Sequence, residues 1–282
     1  ESPKGPAGNW TDAATGEHGD LLDIIRESLA LRDFREVAEE ARRFLKLPCS
    51  EEQSLPRPVR PVAPAGSQEA ARRLFAISNP IEGTLAEAYL QRRGISCINH
   101  GGSLRFHPRC YYRPDEHSST ETWPAMIACV TDLDGRITGV HRTWLDPHGF
   151  DRVRLGKAPI DTPRRAMGDL LGNAVRFGVV DDVLAAGEGI ETMLSLRYAL
   201  PALPMAAALS ANHLAAMMLP SCLRRLYIAR DDDAAGDTVQ AILTQRAVEA
   251  GVEAIPLSPR VGDFNEDLHI FGLEALRASL RL

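Results

Sequence analysis

Cysteine is scarce in this chain, and what there is does not pair by spacing. Five cysteines among 282 residues, widely separated and without a Cys-x-x-Cys, suit a reducing cytoplasm better than a disulfide framework. No apolar run reaches the roughly 18 residues that a membrane span needs, so no membrane partner is expected. Residues 1–10 lack the basic-then-apolar order of a secretory signal. Excess positive charge is missing too. The formal net charge is −6, which taken alone argues against a nucleic-acid partner.

That average hides an asymmetry. Residues 135–165 hold seven Lys/Arg (Arg136, Arg142, Arg152, Arg154, Lys157, Arg164, Arg165) against three acids (Asp146, Asp151, Asp161). Residues 181–282 hold fourteen acids against eight arginines. A basic middle and an acidic end suit a protein that grips phosphates with one part and metal with another. The bland reading is chance clustering. Composition is otherwise that of a globular protein, with 44% hydrophobic and 25% charged residues, and the length allows one large or two modest domains.

Apolar residues at helical spacing predict two short helices within residues 21–45. Four prolines (Pro56, Pro58, Pro61, Pro64) mark a linker. Helices are predicted at 70–78 and 85–93, and strands at 126–131 and 137–144 joined by the turn 132–135. Residues 149–168 read as a polar, basic loop. From residue 178 strands and helices alternate. Strands are predicted at 183–186, 205–209, 223–229 and 253–257, and helices at 190–200, 212–219, 234–250, 267–271 and 273–280. That order predicts a mostly parallel sheet covered on both faces. The expected organisation is an N-terminal helical segment (1–50), a Pro-rich linker (51–67), a smaller α+β basic subdomain (68–177) and a Rossmann-like α/β domain (178–282).

Three acidic clusters follow strands of that last domain: Glu188 after 183–186, Asp231 to Asp233 after 226–229, and Asp263 to Asp267 in the loop after 255–257. Parallel strands bring their C-terminal ends to one edge, so these clusters are expected to converge. Crowded carboxylates repel unless a cation is present. Oxygen-only ligands suit Mg²⁺ or Mn²⁺, with phosphate oxygens completing the shell. Taken singly, each cluster also reads as a turn or a helix cap. A second pattern, Cys97-x-x-His100 with His107-x-x-Cys110, has zinc-ligand types, but the gap between pairs is short and zinc is not expected. His141 reads as an ordinary polar residue.

Glu188-Gly189 after one strand, then Asp231-x-Asp233-x-x-Gly236 after a later one, resembles the Toprim domain of topoisomerases, bacterial primases and some nucleases. The segment Gly262-Asp-Phe-Asn-Glu-Asp-Leu268 resembles the element that follows in primase-like members. The resemblance implies Glu188, Asp231 and Asp233 as catalytic residues, and metal binding by Glu188, Asp231, Asp233, Asp263 and Asp267. Upstream, Leu85-Ala-Glu-Ala-Tyr-Leu-Gln-Arg-Arg-Gly-Ile95, Leu104-Arg-Phe-His-Pro108 and Gly139-Val-His-Arg-Thr-Trp-Leu145 with Gly156-Lys157 resemble primases of phages, plasmids and other mobile elements. Primases place a basic subdomain there, which implies Arg142, Arg152, Arg154, Lys157, Arg164 and Arg165 as phosphate contacts. Residues 8–22 resemble the tail of a primase zinc ribbon whose ligands sit mostly before this point, so that module is expected to be incomplete or absent.

The reading these resemblances imply is a DNA primase, making short primers on a single-stranded DNA template from nucleoside triphosphates, with a replicative helicase as a further partner. The alternatives are a Toprim nuclease using the same carboxylates, and a catalytically weak Toprim protein that binds nucleic acid or a helicase. A topoisomerase is disfavoured, since the chain has no room for a strand-passing domain.

Overall fold

The computed structural model describes residues 9–11, 18–29, 34–45, 66–96, 101–115, 117–149, 153–154 and 156–280. The chain divides into two compact units, residues 1–61 and 62–282. The first pairs β1 (Asn9–Thr11) antiparallel with β2 (His18–Asp20) and adds α1 (Leu21–Ser28) and α2 (Phe34–Phe44). Leu22 and Ile25 of α1 and Ala41 and Phe44 of α2 line one apolar pocket.

The second unit opens with α3 (Gln68–Ile77) and α4 (Leu85–Arg92). Both start where a hydroxyl caps the first turn: Ser67 Oγ accepts from the Ala70 amide at 3.1 Å, and Thr84 Oγ1 from the Ala86 amide at 3.2 Å. Next come β3 (Leu104–Tyr112), β4 (Glu121–Thr131), β5 (Ile137–Trp144) and β6 (Arg164–Gly168), an antiparallel sheet in chain order. Asp132 Oδ1 closes the β4–β5 turn by accepting from the Asp134 and Arg136 amides at 3.0 and 2.8 Å.

Among the elements that depart from the sequence expectation are β3 and β6. Strand β3 carries Pro108 and a register shift between His107 and Cys110, which interrupt the alternation that marks a strand. The basic stretch read as a loop ends in β6, whose residues are only partly buried and so show no hydrophobic pattern.

The rest of the unit is β7 (Val175–Phe177), β8 (Val183–Gly187), α5 (Ile190–Ala199), β9 (Met205–Ala207), α6 (Ala211–Ala215), β10 (Arg225–Ala229), α7 (Ala234–Glu249), β11 (Glu253–Leu257), α8 (Phe264–Phe271) and α9 (Leu273–Ser279). Strand order is β11-β10-β8-β9-β7. All pairings are parallel except that of the edge strand β7. The fold is therefore mixed α/β, an antiparallel sheet followed by a mostly parallel one.

Alternation along the parallel strands divides the core. Leu184, Ala186, Leu226 and Ile228 pack with Leu214 of α6 and Val239 and Leu243 of α7. Ala185, Tyr227 and Ala229 pack with Met193 and Leu194 of α5 and Leu268 of α8, in a cluster that also takes in Tyr89 and Leu90 of α4 and Met126, Ala128 and Val130 of β4. The inner face of the antiparallel sheet thus shares a core with the parallel domain. Helix α3 packs on the outer face, where Ala71 and Phe75 meet Ile127, Cys129 and Val140. No helix among the described residues is long and apolar enough to cross a membrane.

Candidate functional site

The chain leaves β8 toward β9 on one side, yet β10 returns to the other side of β8. In a parallel sheet this reversal opens a crevice beyond the C-terminal ends of the two strands. The final residues Gly187 and Ala229 are register partners, so the segments beginning at Glu188 and Arg230 leave the sheet side by side. Beyond them lies a cleft of about 490 Å³ lined on one wall by Glu188, Asp231 and Asp263, and on the other by Arg93, Lys157 and Arg164.

Backbone amides hold Glu188, Asp233 and Asp263. Glu188 accepts from the Ala211 amide at the start of α6. Asp233 caps α7, accepting from the Gly236 amide at 2.7 Å. Asp263 caps α8, its Oδ1 accepting from the Asn265 and Glu266 amides at 2.7 and 2.8 Å. The capping alternative therefore holds for Asp233 and Asp263, and capping leaves each a second oxygen. Asp231 is different: its Oδ1 is buried with no hydrogen-bond partner among the described residues.

The electrostatics show crowding. Burial, then Glu188, Asp263 and Asp233, push the Asp231 carboxyl up to about 6. Burial and Asp233 also raise Glu188, against the pull of the Ala211 amide. An all-oxygen donor set with an unsatisfied buried oxygen and mutual repulsion fits a divalent cation of the Mg²⁺ or Mn²⁺ kind. Among the described residues, no three His, Cys, Asp or Glu side chains already form a metal-binding group.

The opposite wall is cationic. Burial lowers the Lys157 ammonium, helped by Arg164 and Arg93 and opposed by Glu191 and Asp263. Arg93 is 8% exposed, and its Nη1 donates to Asn265 Oδ1 at 2.7 Å. Among these cations Glu191 also lines the cleft, and it accepts from the Tyr89 hydroxyl at 2.6 Å. His141 also lines the cleft. Burial, then Arg164 and Arg142, hold it down to about 4 against the pull of Glu191, so its imidazole is neutral near pH 7.

The expected basic residues divide. Lys157, Arg164 and Arg165 line the cleft. Arg142 faces the other side of the sheet, stacked at 4.9 Å on Trp144, and Arg154 lies on an exposed turn. Arg152 lies outside the described residues, as do Cys97 and His100; Cys110 is buried in the outer-face core. Asp267, expected among the metal ligands, is buried 2% exposed, and its oxygens accept from the Arg260 and Val261 amides at 2.8 and 3.1 Å. It ties down the loop that carries Asp263 and does not line the cleft.

Arg93 and Glu191 are cleft residues that sequence reasoning passed over, and His141 is one that it read as an ordinary polar residue. The available signal was Glu191, an acid in the first turn of a helix whose one other charged residue is Arg197.

Residues 65–177 match a domain of unknown function (DUF7146), and residues 183–273 match the Toprim domain. No curated protein matches the chain. Among solved structures, the Aquifex aeolicus primase (zinc binding and RNA polymerase domains) superposes with a TM-score of 0.51 at 16% identity, covering 96% of this chain and 72% of that one. A DNA primase domain from Pseudomonas aeruginosa gives 0.51 at 12% identity over 76% and 77% of the two chains. The RNA polymerase domain of Mycobacterium tuberculosis primase gives 0.50 at 16% identity over 76% and 82%. At these identities the likeness is one of fold.

Proposed function

From a chain that carries a Toprim domain over residues 183–273, in a fold shared with bacterial primase catalytic cores, we propose a metal-dependent DNA primase, a nucleotidyltransferase that makes short primers on single-stranded DNA. The observation that carries this reading is the pairing of two walls across one cleft. Glu188, Asp231 and Asp263 face Arg93, Lys157 and Arg164 there, and Asp233 stands near enough to raise both Glu188 and Asp231.

Glu188, Asp231, Asp233 and Asp263 would hold Mg²⁺ or Mn²⁺, which when bound neutralises charge developing on the transferred phosphoryl group. The remaining work belongs to this chain's residues. Arg93, Lys157 and Arg164 bind and orient a nucleoside triphosphate by its phosphate oxygens. Glu191 keeps these cations aimed into the cleft. Neutral His141 leaves the wall's positive charge to the arginines and lysine. Positioning plus electrostatics is the usual means of phosphoryl transfer. A separate replicative helicase remains part of this proposal as a partner.

The test is incubation of the chain with single-stranded DNA, labelled nucleoside triphosphates and Mg²⁺ or Mn²⁺, beside Asp231→Asn/Asp233→Asn. Short labelled products from the wild type alone are expected. Shortened template without new product would replace the reading with a nuclease. Tight DNA binding with neither product would replace it with a binding protein.

A further inference from the structure

The segment after β10 carries more negative charge than the cleft takes from it. Asp231, Asp232, Asp233 and Asp237 put four carboxylates within residues 231–237, and Arg230 is the one Lys or Arg between residues 226 and 245. Asp231 and Asp233 belong to the candidate metal site. Arg230 takes the other two. Its Nη2 donates to Asp232 Oδ1 at 2.9 Å, and its Nη1 donates to Asp237 Oδ1 at 2.8 Å. Neither Asp232 nor Asp237 lines the cleft. The same guanidinium reaches past β11, where Nε donates to Ser258 Oγ at 2.9 Å.

Backbone bonds extend this hold. The Arg230 amide donates to the Leu257 carbonyl at 3.2 Å, and Nη1 also donates to the Asp231 carbonyl at 3.4 Å. That carbonyl accepts from the Asp233 amide at 2.9 Å, and the Asp232 amide donates to the Gly262 carbonyl at 2.8 Å, one residue before Asp263. Arg230 thus joins the segment bearing Asp231 and Asp233 to the loop that leads to Asp263. Stability does not account for the arrangement. Arg230 is 17% exposed, but Asp232 and Asp237 are 50% and 70% exposed, and ion pairs with exposed carboxylates contribute little. Charge alone does not account for it either, since a cation beside a metal site repels the incoming ion. What a guanidinium adds is direction: its donors form a rigid fork that here spans three side chains at once. Groups outside the coordination shell that orient the ligands in this way set metal affinity.

We propose that Arg230 is a positioning residue for the metal site. Its guanidinium holds Asp232 and Asp237 out of the cleft and fixes the backbone between Asp231 and Asp233, so that these two carboxylates meet the cation together with Glu188 and Asp263. The proposal rests on the reading of those four carboxylates as ligands of a divalent cation, and not on primer synthesis. Positioning and charge predict opposite signs. If Arg230 acts only by its charge, removing it tightens metal binding; if it acts by its fork, removing it weakens metal binding.

The experiment is Mn²⁺ binding to the whole chain, without nucleotide or nucleic acid, read from the loss of the free-ion EPR signal, with Asp231→Asn as the control for the site. Arg230→Gln is expected to weaken binding about tenfold, the size of a lost orienting group, although it makes the surroundings more negative. Arg230→Lys keeps the charge without the fork and is expected to weaken binding as well. Ser258→Ala changes no charge at an exposed position. It keeps the test open where an Arg230 variant misfolds, and a smaller loss in the same direction is expected. Wild-type or tighter affinity in Arg230→Gln and Ser258→Ala overturns the proposal and leaves the metal site standing. Wild-type affinity in Arg230→Lys beside weakened binding in Arg230→Gln also overturns it, since charge then suffices. A wild type that binds no more Mn²⁺ than Asp231→Asn sinks the metal reading itself, and the proposal with it.

Discussion

The Tyr89 hydroxyl on α4 donates to Glu191 Oε1 on α5 at 2.6 Å, joining residues 102 positions apart. The same buried network takes in Arg93 and Asn265, where Arg93 Nη1 donates to Asn265 Oδ1 at 2.7 Å and Asn265 Nδ2 returns a bond to the Arg93 carbonyl at 3.0 Å. Asn265 also donates to Ser195 Oγ at 3.0 Å. These bonds connect the helix before the antiparallel sheet to two helices of the Toprim domain, at the cationic wall.

Glu191 makes this network pH-dependent. Burial alone would raise its carboxyl, but Arg93, the Tyr89 hydroxyl and Arg164 bring it from 4.5 down to about 2. A group whose folded value is depressed contributes stability above its unfolded value and loses it as pH falls. The window is therefore about pH 4.5 down to about 2. Urea midpoints of the wild type should drop through this window, and those of Glu191→Gln should change less. At neutral pH Glu191→Gln should cost about 3–5 kcal/mol, because Arg93 stays buried without its counter-charge. Equal urea midpoints for the two proteins at neutral pH would show that Glu191 holds nothing in place.

Asp231 should behave in the opposite sense. Its carboxyl is raised to about 6 by burial and by Glu188, Asp263 and Asp233, so charging it near pH 7.5 opposes folding. In EDTA, Asp231→Asn is expected to be more stable than wild type by about 1 kcal/mol, since solvent screens a half-exposed carboxylate. Mg²⁺ should raise the melting temperature of the wild type and do so much less in the variant. Thermal unfolding with and without Mg²⁺ reads both effects. An Asp231→Asn protein that melts earlier in EDTA contradicts the crowding.

Gly236 tests how tightly the second acidic loop is built. A Cβ there would come within 2.2 Å of the Asp231 carbonyl oxygen, which is backbone and cannot swing away. Inside a helix, alanine is ordinarily favoured over glycine by about 1 kcal/mol. Gly236→Ala is nevertheless expected to destabilise the chain and weaken Mg²⁺-dependent stabilisation, because the segment bearing Asp231 must move. A gain in stability by urea denaturation would show that the loop yields freely.

The shared edge of Glu188, Asp231 and Asp263 is legible in the sequence because each follows a strand, and a parallel sheet brings the ends of its strands to one side. The strand order itself is not local information. That β8 pairs with both β9 and β10, and so forms the crevice, depends on contacts no short pattern encodes. The basic residues were legible only as a group. Arg142 and Arg164 count alike in a charge tally, yet alternation sends Arg142 outward, and Arg164 lines the cleft. Seeing that requires β6 to be read as a strand, and its sequence carries no apolar alternation. Arg93 stays hidden for a related reason, its partner Asn265 lying 172 residues away.

Asp267 and Asp263 belong to one short acidic run, and the structure gives them opposite tasks. Asp263 caps α8 at the edge of the cleft, whereas Asp267 is spent on the Arg260 and Val261 amides. The loop it ties down also supplies the Gly262 carbonyl that accepts from the Asp232 amide at 2.8 Å, so Asp267 supports both acidic segments without lining the cleft. Asp267→Ala should therefore cost about 2–3 kcal/mol even in EDTA, through two lost bonds to a charged group. Asp263→Ala should cost only about 1 kcal/mol, the value of a helix cap, while removing more of the Mg²⁺-dependent gain. Urea denaturation of both variants, each with and without Mg²⁺, separates these roles. If Asp267→Ala matches wild type in EDTA and loses only the Mg²⁺ response, Asp267 is a ligand after all and the loop stands without it.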